Sequence, residues 1–363
     1  MDLLSEGSSE PRILAARHLS GKTLPETNNA VNTTLLCYDY SLQPDVGSYV
    51  AALGKYTWVV WSCGALVLAI ICLLYAVTLR SARQHWRLCI TNIAVLMAVY
   101  PIVAAASLVA IIVPRAGVLC EAVAQEAVML ALYHFFCMIL AECGGPDKLV
   151  RMSDETTRWQ TRVLPCCCWP CCVLPRPQIQ VRNLTWLRYT ILQMPIIQAL
   201  IYFVILVLWA EDVMLYLKSL MFIQPLIAFS ILFGMWGIIM CIRTVETLGI
   251  KARPRFLAVQ LVLLIVKLQF GMVKTITGFF ELPCIMSLHP AVFVNLIQNC
   301  VMMLEMLLLC LWAWRLYSLP PGKVIERVQH AVVAVVDDTF NGFDEKAIKE
   351  GVENKSFKFK IDM

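Results

Sequence analysis

Polar and apolar positions along this chain separate into long blocks, not single-residue alternation. Apolar runs about 20 residues long are divided by short polar or basic connections, and ~20 residues at ~1.5 Å each cross the ~30 Å of bilayer hydrocarbon. The runs predict seven spans: Thr57–Leu79, Leu88–Val113, Val118–Leu140, Leu184–Trp209, Leu220–Ile242, Phe256–Gly278 and Ala291–Trp314. Only "VPRAGVLCE" parts the second from the third, with Pro114 and Gly117 supplying the turn. Pro101 and Pro195, inside spans two and four, predict kinks. The fold class expected is all-α: a polytopic membrane protein with seven transmembrane helices.

Composition supports this. Of 363 residues, 60% are hydrophobic and 15% charged, with a mean hydropathy of +0.71. Soluble domains carry roughly 25% charged residues, so this chain lacks the charge to coat a water-facing surface. Residues 1–55 read as a polar N-terminal tail, 56–316 as the membrane domain with a Cys-rich loop at 144–183, and 317–363 as a polar tail. The tail opens on an amphipathic stretch, "VIERVQHAVVAVV". No apolar h-region precedes span one, which is expected to act as its own signal. The net charge of +5 reflects basic loops and does not imply a nucleic-acid partner.

Those basic loops orient the chain. Arg80, Arg83 and Arg87 follow span one; Lys148, Arg151, Arg158, Arg162, Arg176 and Arg182 follow span three; Arg243, Lys251, Arg253 and Arg255 follow span five. The alternate loops are short and poor in positive charge. Positive residues stay in the cytosol, so the N-terminus is expected outside and the C-terminus inside. Asn32-Thr33-Thr34 is then a glycosylation sequon on the side where it can be used.

The segment "CCCWPCC" places Cys166, Cys167, Cys168, Cys171 and Cys172 on the cytosolic side. Cytosolic thiols stay reduced. Cys168 and Cys171 have CxxC spacing, but no second pair follows for a tetrahedral zinc site. Two readings remain: acceptors for S-palmitoyl chains, which is the expectation here, or unmodified thiols acting as small hydrophobes. Outside, Cys37, Cys120 and Cys284 offer one disulfide of unassigned pairing.

Ionisable residues within spans are costly and mark functional candidates. Gln260, Lys267 and Lys274 recur every seven residues in span six and share one helix face, with Gln269 on a neighbouring face. Gln298 and Glu305 are seven apart in span seven, with Asn295 nearby. Lys267 lies about 18 Å from Arg255, and Glu305 about 15 Å from Arg315, at ~1.5 Å per residue. That similar depth predicts a Lys267–Glu305 ion pair, either functional or merely neutralising. Glu142 ends span three, where water can reach it. His134 is the lone in-span histidine and reads as a hydrogen-bonded bundle residue.

An ordered set of short motifs adds to this. They are "CYDYSLQPDVGSYVAALG", Glu142 with Gly144-Gly145, the cysteine run, Gln193 in "ILQMP", Gln269 in "KLQF", and Gln298, Asn299 and Glu305 in "IQNCVMMLEM". From Cys37 to Leu316 the chain resembles the organic solute transporter alpha family. The resemblance implies seven helices moving bile acids, conjugated steroids and related amphipathic anions by facilitated diffusion. It further implies a single-span beta subunit as partner and a palmitoylated cysteine loop. The cysteine run here is interrupted by Trp169-Pro170, and Lys267 and Lys274 match no family motif.

The function expected is a facilitative transporter of amphipathic organic anions in the plasma membrane, endomembranes being the other setting. Lys267 and Lys274 would attract the anionic head, and Gln193, Gln269, Gln298, Asn299, Glu305 and Glu142 are the further substrate-binding candidates. Membrane lipids are the other contacts; homo- and hetero-oligomers both stay open. No cofactor, metal, nucleotide loop or enzymatic role is expected. The alternative is a seven-helix receptor, although "AECGG" replaces an Asp-Arg-Tyr-like element and span seven has no Asn-Pro-x-x-Tyr-like element. An intramembrane metal hydrolase would need clustered ligands beyond one in-span histidine. For the cysteine run, hydroxylamine-sensitive acyl exchange is expected to label the wild type and to miss a variant with Ser at 166, 167, 168, 171 and 172. An unlabelled wild type would leave only the unmodified loop.

Overall fold

The computed structural model describes residues 44–153, 158–159, 177–247, 252–279 and 289–318, without the side chains of 213, 214, 217 and 273–279. The Asn32 sequon, Cys37, Cys284, the cysteine run and the amphipathic stretch after span seven lie outside the described residues.

The described helices are α1 (Val46–Leu53), α2 (Lys55–His85), α3 (Ile90–Ile112), α4 (Gly117–Glu142), α5 (Pro146–Met152), α6 (Val181–Glu211), α7 (Val213–Thr247), α8 (Arg253–Phe279) and α9 (Pro290–Tyr317), with a 3₁₀ turn at Pro114–Ala116. Seven of these, all but α1 and α5, are long and apolar enough to cross a membrane. The protein is a multi-pass, all-α membrane protein. The helices outrun the apolar blocks: α2 continues through Arg80 to His85, and α7 starts at Val213, ahead of Leu220. A polar residue does not stop a helix; only a lost backbone donor or a special φ/ψ does. Helices α1 and α5 carry no 20-residue block and were not predicted.

Helices α3 and α4 form the centre. Helix α3 packs on α2, α4 and α9; α4 also touches α6 and α8; α7 lies on α6, and α8 on α9. Fully buried Met97, Val103, Leu132, Phe135 and Phe136 fill the space between them. Helix α2 buries the smallest share of its apolar window among the seven spans, and Leu66 and Leu73 face outward. Where lipid is as apolar as leucine, close approach depends on small residues. Gly64 of α2 lies against Leu108 of α3, and Gly237 of α7 against Leu187 and Ile191 of α6.

Pro101, Pro195 and Pro225 lie inside α3, α6 and α7, and each helix runs on through its proline. Each ring removes one donor, so the carbonyl four residues earlier loses its intrahelical partner. Helix α4 ends at a glycine pair. Gly144 and Gly145 adopt φ of 82° and 102°, which only glycine takes readily. Their N–H groups bond back to the carbonyls of Ala141 and Leu140, satisfying the helix end as a glycine cap does. Beyond α5, Arg158 pairs with Gln178 in an isolated bridge, and Trp159 is buried as part of the main apolar core, which also includes Leu149 and Ile179.

A Cβ placed on Gly234 would run into the Met194 side chain. Gly234→Ala is therefore expected to lower stability by about 1–3 kcal/mol, read as reduced thermal unfolding temperature in detergent. An unchanged temperature would show that α6 and α7 are loosely packed there.

Candidate functional site

The two ends of the bundle differ in chemistry. At the end where α4 stops and α8 begins, Arg255 Nη1 and Nη2 donate to Glu142 Oε2 and Oε1 at 2.8 and 3.1 Å. The side chains are 8% and 17% exposed, so this two-pronged pair is largely withdrawn from water, where such geometry counts most. The Arg255 guanidinium also sits 5.0 Å over the Trp86 ring, and Trp86 meets Tyr317 edge-on. Glu142 is thus not the solvated carboxylate expected. Its partner comes from the first turn of α8, 113 residues away. Next to it, burial, and then the Glu142 carboxylate and Cys89, push the Cys143 thiol up to about 11.

At the opposite end, under α1, lies a cavity of about 120 Å³. Tyr49 of α1 lines it and is only 2% exposed. Ser107 and Glu121 face it from α3 and α4, and Asn295, Gln298 and Asn299 from α9, while Phe270 and Met302 supply apolar wall. Asn299 Nδ2 donates to the Asn295 carbonyl. Gln298 is buried, and its Nε2 meets no acceptor among the described residues. Cys120, a candidate for an outer disulfide, is a free, buried thiol on this wall, because α4 already starts at Gly117 and turns it inward.

Asn295, Gln298, Met302 and Glu305 follow an i, i+3, i+7, i+10 spacing and so share one face of α9. Glu305 lies about 10 Å beyond Gln298 along the axis, at ~1.5 Å per residue. It accepts a hydrogen bond from Gln269 Nε2 of α8. The pair predicted from depth was Lys267–Glu305, and the structure gives Gln269 instead. Depth was judged correctly: Gln269 is two residues from Lys267, a turn of about 200° round the helix, and it is the residue that reaches Glu305 of α9. Lys267 is half-buried on α8. Lys274 occupies a helical position one turn past Phe270, with its side chain outside the description.

Gln193 is half-buried in the other half of α6, away from the cavity lining. His134 Nδ1 donates to Asn92 Oδ1 at 3.0 Å, the bundle role expected of it. Of the predicted site residues, then, Gln298 and Asn299 meet at the cavity, Glu305 and Gln269 pair beyond its floor, and Glu142 belongs to the far end. Sequence reasoning missed Glu121, which accepts from Tyr202 Oη of α6 at 3.5 Å, and Gln125 one turn on. Their four-residue spacing inside span three was the available signal. Among the described residues, no group of three or more His, Cys, Asp or Glu side chains could hold a metal ion.

Comparison with known proteins decides what this bundle is. The profile of the family described as "Organic solute transporter Ostalpha" matches residues 57–321. The chain belongs to that family. It is 26% identical over 259 residues to the organic solute transporter alpha-like protein of Drosophila melanogaster, covering 70% of this chain and 78% of that one. It is 25% identical over 237 residues to alpha-like protein 2 of Caenorhabditis elegans, covering 64% and 66%. The organic solute transporter subunit alpha of Danio rerio is 24% identical over 183 residues, covering 48% and 56%. No solved structure matches the chain. Membership of a transporter family places the cavity and its polar stripe, ahead of any catalytic cluster, as the candidate site.

Breaking a largely buried ion pair strands one charge. Glu142→Gln and Arg255→Lys are each expected to cost about 2–4 kcal/mol, measured by thermal unfolding. In Glu142→Gln the Cys143 thiol should also fall toward its ordinary range, because a nearby negative charge is gone, and alkylate faster at pH 8. An unchanged alkylation rate would count against this coupling.

Proposed function

We propose that this protein is a facilitative transporter of amphipathic organic anions in the plasma membrane, with the cavity under Tyr49 receiving the anionic head. The observation carrying this is Gln298: a buried amide on the cavity wall with an unanswered N–H donor. In a low-dielectric setting such a donor favours an acceptor that brings no hydrogen of its own, as sulfate and carboxylate oxygens do. The volume sets the rest. Pockets that enclose a drug-sized ligand run roughly 300–1,000 Å³, so about 120 Å³ takes a headgroup and leaves a steroid or acyl body to the apolar surfaces between helices.

Lys267 and Lys274 occupy backbone positions at i−3 and i+4 from the wall residue Phe270 of α8. They would draw the anion in while the neutral amides of Gln298, Asn295 and Asn299 hold it loosely enough to leave. This reading takes the α1 end as extracellular. It also takes the cysteine run as an acylated anchor, Asn32 as a glycan acceptor, and a single-span beta subunit as partner, in keeping with the family's name for its alpha subunits.

Tracer uptake of estrone 3-sulfate and taurocholate in oocytes, with and without a co-expressed single-span beta subunit, tests the reading. Saturable flux in both directions is expected. Gln298→Leu should raise KM about tenfold, the loss of roughly one hydrogen bond to a charged group, and should not impair folding, because it removes an unpaired polar atom. Ligand-evoked signalling without flux would overturn transport in favour of a receptor.

A further inference from the structure

Helices α4 and α6 run antiparallel and are joined by two polar rungs. Tyr202 Oη donates to Glu121 Oε1 at 3.5 Å, and Arg188 Nε donates to Tyr133 Oη at 3.1 Å. Between these rungs, one turn from the first, come Gln125 on α4 and Gln198 on α6. Each lies four residues from its rung partner, Glu121 or Tyr202, and so keeps that partner's face. The antiparallel register puts both at one level, near the middle of the span.

Both carboxamides are withdrawn from the surface, at 1% and 2% exposure. Gln125 Oε1 is an acceptor without a donor, and Gln198 Nε2 a donor without an acceptor, among the described residues. Glu126, the next residue along α4, also has an unanswered oxygen, but it stands about 100° round the helix. A buried polar group left unpaired in hydrocarbon is expensive, and two of opposite sense at one level ask for a group that both donates and accepts.

We infer that Gln125 and Gln198 form a second binding subsite, specific for a hydroxyl group on the body of the transported solute. The hydroxyl hydrogen is given to Gln125 Oε1, and its oxygen accepts from Gln198 Nε2. A ketone at the same place answers Gln198 and leaves Gln125 unpaired. Ala124 and Glu121, on the same stretch of α4, line the cavity, and the Glu121–Tyr202 rung lies one turn from the glutamine pair. On this proposal, a solute whose head sits by Gln298 meets the pair when α4 and α6 part to let its body pass. The subsite rests on the transport reading and adds to it a selectivity that the cavity alone does not explain.

Estradiol 3-sulfate and estrone 3-sulfate test it, because they differ at one oxygen, hydroxyl against ketone. Wild-type protein is expected to carry the hydroxyl compound about tenfold more efficiently, the cost of one unpaired buried acceptor. The doubly substituted Gln125→Leu/Gln198→Leu protein should bring that ratio to about one. Replacing both amides by apolar groups of similar size is close to neutral for folding, which thermal unfolding checks. A wild type that carries both sulfates equally overturns this inference alone, and shows that the two amides hold only water. A ratio that survives the double substitution overturns it as well. A wild type that carries neither sulfate overturns the transport reading, and the subsite with it.

Discussion

Hydrocarbon offers a peptide group no donor and no acceptor, and the rest of this structure follows from that. Every described crossing is helical because only a helix answers its own backbone within one segment. The same constraint reaches the side chains. A polar atom inside the bundle must find another, so the few it contains mark where helices are specified against each other: His134 with Asn92, Glu305 with Gln269, Arg255 with Glu142. Polar atoms that remain unanswered, at Gln298, Gln125 and Gln198, are then informative in the opposite sense. At these three, the proposal is that the transported solute supplies the missing partner.

These two kinds of polar residue are distributed unevenly. The end with Arg255 is tied shut by an ion pair, a cation over an indole and an aromatic edge contact, which link α4 and α8 to the end of α2 and, through Tyr317, to α9. The end with Tyr49 has a cavity lined in part by the short helix α1, whose Tyr49 and Leu53 are buried in one apolar cluster with Ile111 of α3 and Leu296 and Met303 of α9.

The seven crossings were legible because hydrophobic length is a one-dimensional quantity that survives without knowledge of neighbours. Helix α1 was not, since eight residues next to Gly54 leave no such record. For the site, Gln298 and Asn299 could be singled out as polar residues in an apolar span. Their partners could not, because pairing depends on the angle at which helices present their faces. Lys267 and Gln269 are two residues apart in sequence, and the bond to Glu305 is made by Gln269. Glu142 and Arg255 carry no local sign of each other across 113 positions, and Gln125 with Gln198 stood out only after the register of α4 against α6 was known.

The interior prolines have an energetic consequence of their own. Opening a helix at an ordinary position breaks a hydrogen bond that the bilayer cannot replace. At Pro101, Pro195 and Pro225 that bond is missing from the start, so α3, α6 and α7 each contain one joint that bends without breaking a bond. The joint in α6 lies three residues from Gln198, and the glutamine can therefore swing relative to α4 while the backbone on either side stays fully bonded.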